Sequence, residues 1–207
     1  MRIVKEIPAN ELETIYRIMM RRIAKGYTAE ALNYLIGAPY HYVEDVESLK
    51  KPFYTNEQLD RITKALEEGN PESFFPLVED ETVLNIVVNK ECPQNKVTHS
   101  FSVVDEEGYE EELFKLMEYQ FPDQDQIPNS DNTWQLVVDV VDVMIRSGYF
   151  AEPRYPYEVF HAINRLLPVA INPYFLHAAM LEYTVEEGGE HLRMVGQKEG
   201  AFQYEEY

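Results

Sequence analysis

Four short apolar stripes with helical spacing follow one another in the first 70 residues. The first stripe, residues 12–23, ends at Gly26, and the third follows the turn at residues 37–39. Thr28 and Thr55 stand where N-caps begin the second and fourth stripes. Stripes this short bury their apolar faces only by packing together, so the pattern predicts a small N-terminal bundle of four helices.

The charge of the chain is distributed unevenly. The 207 residues carry a formal charge of −19. Residues 1–70 hold ten Lys and Arg against eleven Asp and Glu, a net of −1, whereas residues 71–207 hold eight against 26, a net of −18. The break falls near Gly69 and Pro71, a typical helix stop. We therefore expect two domains, a helical module over residues 1–70 and an acidic α+β interaction domain over residues 71–207.

The second half mixes strand and helix patterns. Residues 82–89 and 96–104 are rich in β-branched side chains and flank a turn, which predicts a hairpin. Apolar residues at helical spacing predict a helix over Tyr109–Phe121. Further helices are predicted at 134–145, 157–166 and 173–183, with a last hairpin at 192–195 and 201–204. The expected fold class is α+β and mostly helical, with a winged-helix-like order of elements at its end.

The N-terminal module resembles the phage-repressor-like helix-turn-helix family over about residues 12–67. The chain and the family have four features in common: a first helix that contains Arg, a Gly-aromatic-Thr turn, a second helix with Glu-Ala-Leu and a turn that contains Gly. The matching positions are Met20-Arg21-Arg22, Gly26-Tyr27-Thr28, Glu30-Ala31-Leu32, Ile36-Gly37, Val43, Glu47, Leu59, Ile62, Ala65 and Leu66. In this family the third helix enters the major groove of DNA.

The chain departs from the family where DNA would be read. Base edges are contacted mainly by Arg, Lys, Asn and Gln, and the third helix instead offers Tyr40, His41, Glu44 and Asp45. Specific DNA binding therefore stays the alternative function, that of a transcription regulator. Under it the DNA-contacting residues are Arg21, Arg22, Lys25, Tyr40, His41, Lys50 and Lys51.

Few residues favour an enzyme. The five histidines are scattered and form no ligand motif such as HExxH, and there is no phosphate-binding glycine loop or nucleophile elbow. The single cysteine, Cys92, excludes a disulfide framework within the chain. We expect no catalytic residue, no metal and no cofactor.

An interaction protein accounts better for the composition. The chain has 15 tyrosines, which are enriched at protein interfaces, and its acidity attracts a basic partner while repelling phosphate and anionic lipid. It is similar in size and charge to the small acidic proteins of bacterial toxin–immunity pairs. We expect a cytoplasmic, antitoxin-like protein that binds a basic toxin domain and no membrane. The candidate partner-binding residues are Tyr40, His41, Glu44, Asp45, Glu110, Glu111, Glu112, Tyr155 and Tyr157.

Overall fold

Runs of helices and runs of strands follow one another along the chain. The computed structural model describes residues 2–77, 80–119, 132–184, 191–196 and 200–207. The helices are α1 (Ala9–Ala24), α2 (Ala29–Leu35), α3 (Tyr42–Glu47), α4 (Asn56–Ala65), α5 (Thr133–Arg146), α6 (Pro156–Leu166) and α7 (Pro173–Leu181), with a short 3-10 helix at Pro71–Phe74. The strands are β1 (Arg2–Pro8), β2 (Val83–Glu91), β3 (Lys96–Val104), β4 (Glu110–Tyr119), β5 (Leu192–Gly196) and β6 (Phe202–Glu206).

The elements cluster into two compact units. One unit comprises Met1–Glu30 and His41–Phe121, and the other comprises Ala31–Tyr40 and Pro122–Tyr207. The domain boundary predicted between residues 70 and 71 lies inside the first of these units.

The first unit is built on a four-stranded antiparallel sheet in the order β1-β2-β3-β4. In this register Phe101 stands opposite both Val88 and Phe114, so the three side chains share one face of the sheet. Helix α1 packs on that face, where the rings of Tyr16 and Phe114 lie 4.5 Å apart. The apolar stripe of α1 is therefore buried against the sheet.

The predicted N-terminal four-helix bundle is wrong. Its four helices form close to the expected positions, but strand β1 precedes them and strands β2–β4 follow them in the chain. Strand β1 precedes α1 and pairs with β2, so Ile3 lies opposite Val88, 85 residues later in the chain. The surface that was expected to hold helices together is instead used to cover a sheet.

Strand β4 is a second correction. Residues 109–121 were predicted to form a helix, but Glu110–Tyr119 form a strand that pairs antiparallel with β3. The register shifts between Phe101 and Ser102, which places Leu113 at an irregularity of the ladder. The predicted end of the helix, Phe121, lies outside the described residues.

The hairpin predicted from residues 82–104 is confirmed as β2 and β3.

The second unit joins three helices, a hairpin and a segment from earlier in the chain. Strands β5 and β6 pair antiparallel, and Arg154 exchanges two backbone hydrogen bonds of 2.8 Å with Tyr204 of β6. The earlier segment joins the same strand, because the Phe202 amide donates to the Gly37 carbonyl at 2.8 Å. The expected order of three helices and then a hairpin is present as α5, α6, α7, β5 and β6, and residues 31–40 are a further part of this unit.

Candidate functional site

The first unit buries a cluster of four ionisable side chains, each from a different element. Arg22 continues the apolar stripe of α1, and Glu47 ends α3. His99 lies on the core face of β3, and Glu118 lies on the core face of β4. The other residues on that face are apolar near them, as with Val97 and Phe101 beside His99. All four side chains are less than 10% exposed, and Arg22 is completely buried. This cluster is the most heavily desolvated group of charges among the described residues.

Arg22 uses its full set of donors within the cluster. Its Nε and Nη2 donate to the two carboxylate oxygens of Glu47, each at 2.6 Å. Its Nη1 donates to the Tyr27 carbonyl at 3.0 Å and to Glu118 Oε2, while Nη2 also donates to Glu118 Oε1 at 3.2 Å. His99 Nε2 lies 2.7 Å from Glu118 Oε1. Five N–H groups on Arg22 thus meet five acceptor contacts, as a buried guanidinium requires.

The cluster favours the ionised forms of Glu118 and Arg22. Burial works against ionisation of Glu118, but the hydrogen bond from His99 and the charge of Arg22 outweigh it and lower the pKa of Glu118 to about 2. Burial opposes the charge on Arg22 as well, and Glu47 and Glu118 overcome it, so the pKa of Arg22 is raised. Every group is paired, so the arrangement favours a structural role that fixes helices α1 and α3 to the sheet.

The lowered pKa predicts a specific acid sensitivity. The folded-state pKa of Glu118, about 2, is below its ordinary value of 4.5. Its contribution to stability is therefore complete above pH 4.5 and is lost as the pH falls from 4.5 towards 2. We expect a loss on the order of 3 kcal/mol in the free energy of unfolding across this window.

Urea unfolding at intervals between pH 7 and pH 2 measures this loss, with Glu118→Gln as the matched control. The variant should begin less stable at pH 7 and show a shallower decline below pH 4.5. Parallel declines in the two proteins would show that other carboxylates cause the acid sensitivity.

Arg22 must be removed from the residues predicted to contact DNA, because its side chain is buried and bound to two carboxylates. The exposed members of that set also have acidic partners. Arg21 lies 3.3 Å from Glu68, and Lys25 lies 3.1 Å from Glu67. Lys50 and Lys51 lie 3.4 Å and 3.2 Å from the same carboxylate, that of Asp45. Paired in this way, these residues present little net positive charge to a phosphate backbone.

The acids predicted on the third helix are also engaged within the chain. Glu44 pairs with Lys90 at 2.7 Å and with His41 at 3.1 Å. Burial raises the pKa of Glu44, but the hydrogen bond from Lys90 and the nearby positive charges outweigh it and lower the pKa overall. His41 is exposed and has a positive φ of 60° at the start of α3. Glu44 and Asp45 therefore contribute little unpaired charge for an external partner.

The tyrosines predicted as anchors differ in exposure. Tyr40 is 71% exposed and belongs to the second unit, whereas His41 belongs to the first. Tyr155 and Tyr157 stack with ring centroids 5.5 Å apart at the start of α6. Tyr157 is only 8% exposed, so it is a core residue of its unit. Its prediction as a partner-binding anchor is therefore withdrawn. Tyr40 remains the more accessible candidate.

The acidic triplet Glu110–Glu112 opens β4, and all three side chains are exposed. In the expected helix they would have spread around the axis, whereas in a strand they alternate between the two faces of the sheet. Glu110 and Glu112 lie on the face opposite Phe101 and Phe114, and Glu111 lies on the same face as those rings. The triplet therefore lines an edge of the sheet.

Sequence reasoning overlooked His99 and Glu118 as partners of Arg22. One available signal was a charged residue at an apolar position, because Arg22 follows Ile15, Ile18 and Met19 on one stripe. His99 lies at such a position between Val97 and Phe101 in alternation. The sequence contains no such signal for Glu118, because its place in line with apolar residues becomes visible only when residues 110–119 form a strand.

The described residues hold no group of three His, Cys, Asp or Glu side chains placed to bind a metal ion. Cys92 is exposed in the turn before β3, whereas His99 is buried against Glu118. No helix in the described part of the chain is both long and apolar enough to span a membrane. Comparisons with known proteins found no matching family model, no matching curated protein and no matching solved structure.

Proposed function

We propose that this protein is a non-enzymatic interaction protein that binds a basic protein partner. Its most concrete form is an immunity protein, similar to an antitoxin, which neutralises a basic toxin domain in the cytoplasm. The observation that carries the proposal is the location of exposed acid. Residues 105–112 contain six Asp and Glu and no Lys or Arg, and every one of these residues is exposed.

The acidic side chains of residues 105–112 differ from those of α3 in whether basic side chains lie beside them. Glu44 and Asp45 are neutralised by lysines of the same unit. No salt bridge joins Glu111 or Glu112 to a basic side chain among the described residues. Carboxylates without a neighbouring cation in the described part of the chain supply an attractive field for a basic surface. Separately, the exposed Tyr40 of the second unit stays a candidate anchor, because aromatic side chains dominate the binding energy of many interfaces.

The transcription-regulator alternative gains no support from the geometry. Its candidate Arg22 is buried, and Arg21, Lys25, Lys50 and Lys51 each lie beside a carboxylate. We expect any DNA binding to be weak, independent of sequence and abolished as salt rises. Tight binding to a defined duplex at physiological salt would contradict the proposal.

The test begins with capture of the partner by the full-length chain and its identification by mass spectrometry. The identified protein is then purified alone and its binding kinetics are measured between 50 and 500 mM salt. Because the Debye length falls from about 10 Å at 0.1 M to less than half that at 1 M, we expect the association rate to fall about tenfold or more. The dissociation rate should change far less, because it depends on desolvated contacts.

Tyr40→Ala is expected to act in the opposite way, by raising the dissociation rate about tenfold with little change in association. Tyr207→Ala is the matched control, because Tyr207 is similarly exposed, at 79%. When the partner is expressed in cells, its toxicity should be lost if the chain is expressed in the same cells. Turnover of a small molecule by the purified chain, without any protein partner, would contradict the proposal.

A further inference from the structure

Strand β4 forms one edge of the four-stranded sheet. It pairs with β3 on one side, and among the described residues no other strand pairs with it. Every second residue of an edge strand directs its backbone N–H and C=O away from the sheet, where a further strand can bond to them. This backbone edge belongs to the same segment that carries the exposed acidic triplet Glu110–Glu112.

The side chains of β4 divide the edge into an acidic part and an apolar part. The acidic part is Glu110–Glu112, next to the turn after β3. Towards the other end, Met117 is 51% exposed and Tyr119 is 64% exposed on the face of the sheet that α1 leaves uncovered. Their neighbours across the ladder are Thr98 and Lys96. The edge thus presents carboxylates first, then the exposed Lys115, and apolar surface afterwards.

Charge distinguishes this edge from the opposite one and selects its occupant. Strand β1 exposes Lys5 beside Glu6, so that edge has no comparable excess of one sign. A second copy of the chain would bring another −19 to the contact and be repelled. An extended segment with Lys or Arg at alternate positions would instead face Glu110 and Glu112 across the new ladder.

We propose that the edge of β4 binds an extended basic segment of the partner protein, which joins the sheet as a fifth strand. Backbone hydrogen bonds supply the pairing, the glutamates select basic side chains, and Met117 and Tyr119 contact the apolar stems of basic side chains on the same face. This proposal rests on the proposed function, because it names the surface and the chemistry by which the basic partner is held.

The first experiment uses a synthetic ten-residue peptide of alternating lysine and valine as the probe, with the full-length protein. Amide hydrogen exchange is followed by mass spectrometry as the peptide is added. We expect slower exchange within residues 110–119 and unchanged exchange in β1. A peptide of the same sequence with every amide N-methylated keeps the charge but cannot pair, and it should bind at least tenfold more weakly. Equal binding by the two peptides would overturn the proposal.

The second experiment separates a local site from a long-range field. Glu110→Lys with Glu112→Lys should weaken binding of the unmethylated peptide at least tenfold. Glu57→Lys with Glu72→Lys changes the net charge equally at exposed positions outside the sheet, and should weaken it less than threefold. Circular dichroism and the urea midpoint confirm that each variant is folded. Equal loss in both variants would show that only the overall charge matters.

The purified cognate partner distinguishes failure of this inference from failure of the proposed function. Binding that protects β4 from exchange supports both. Binding that leaves exchange in β4 unchanged overturns strand addition while the interaction function stands. If no basic protein binds the full-length chain, and the lysine-valine peptide fails as well, both proposals are overturned.

Discussion

Arg22→Met is expected to lower the free energy of unfolding by about 3–5 kcal/mol, because it leaves two buried carboxylates without their cation. Arg22 is completely buried and makes hydrogen bonds to Glu47, to Glu118 and to the Tyr27 carbonyl. Met fills much of the volume of the arginine stem, so the loss reports mainly on unpaired charge. Urea unfolding followed by circular dichroism measures it.

Arg21→Met is the matched control for this prediction. Arg21 is the neighbouring residue of α1, is exposed and lies 3.3 Å from Glu68. An exposed ion pair contributes about 1 kcal/mol or less, so the control should unfold close to the wild-type midpoint. If the two variants lose equal stability, the buried cluster does not carry the effect that we assign to it.

A compensated variant tests whether the cost comes from unpaired charge or from lost packing. Replacing Arg22, Glu47, His99 and Glu118 together with apolar residues of similar volume removes every ionisable group of the cluster. Such replacements are often neutral or stabilising when the cavity stays filled. We expect this fourfold variant to be more stable than Arg22→Met alone. A fourfold variant less stable than Arg22→Met would show that lost packing, and not unpaired charge, causes most of the cost.

Local signals were sufficient to predict most helices. Thr55 accepts a hydrogen bond from the Gln58 amide, and the Gln58 side chain accepts one from the Thr55 amide, as a capping box requires. Asn172 caps α7 ahead of Pro173 in the same local manner. These interactions span three residues or fewer, so the sequence alone contains them.

The sheet depends on contacts that the local pattern does not contain. Strand β1 is only seven residues long, and it is stabilised by pairing with β2, which begins 75 residues after β1 ends. In β4, Leu113, Phe114 and Met117 have helical spacing, which led to the wrong prediction of a helix. Pairing with β3 overrides that spacing, and the irregularity after Phe101 accommodates the extra residue. The bundle prediction failed because it omitted this sheet.

The candidate site also has a part that residue type alone predicts and a part that only the fold reveals. The exposed glutamates of residues 110–112 and the exposed Tyr40 were identified from residue type and stay candidates for partner binding. Arg22 was assigned to a surface patch because nothing near it in sequence reveals Glu118, which lies 96 residues away. Composition predicts the sign of a surface, whereas the pairing that neutralises or buries a charge requires the fold.

Gly37→Ala is expected to lower the free energy of unfolding by about 3 kcal/mol, through backbone strain and a steric clash together. Gly37 has a φ of +64°, a conformation that disfavours a Cβ. A Cβ built there would lie well inside van der Waals distance of the Phe202 carbonyl oxygen and 3.2 Å from the Phe202 nitrogen. Both are backbone atoms of β6, and the Phe202 nitrogen donates a hydrogen bond to the Gly37 carbonyl, so they cannot move aside as a flexible side chain would.

Gly148→Ala in the same unit isolates the conformational part of this cost. Gly148 has a φ of +74°, and a Cβ built there meets nothing within 4 Å, so the expected loss is about 1 kcal/mol. Asn tolerates positive φ but still carries a Cβ, so Gly37→Asn should be nearly as unstable as Gly37→Ala, while Gly148→Asn should be close to wild type. Thermal and urea unfolding of the four variants measure these differences. If Gly37→Ala costs no more than Gly148→Ala, the backbone of Phe202 does not approach Gly37 as closely as the structure places it.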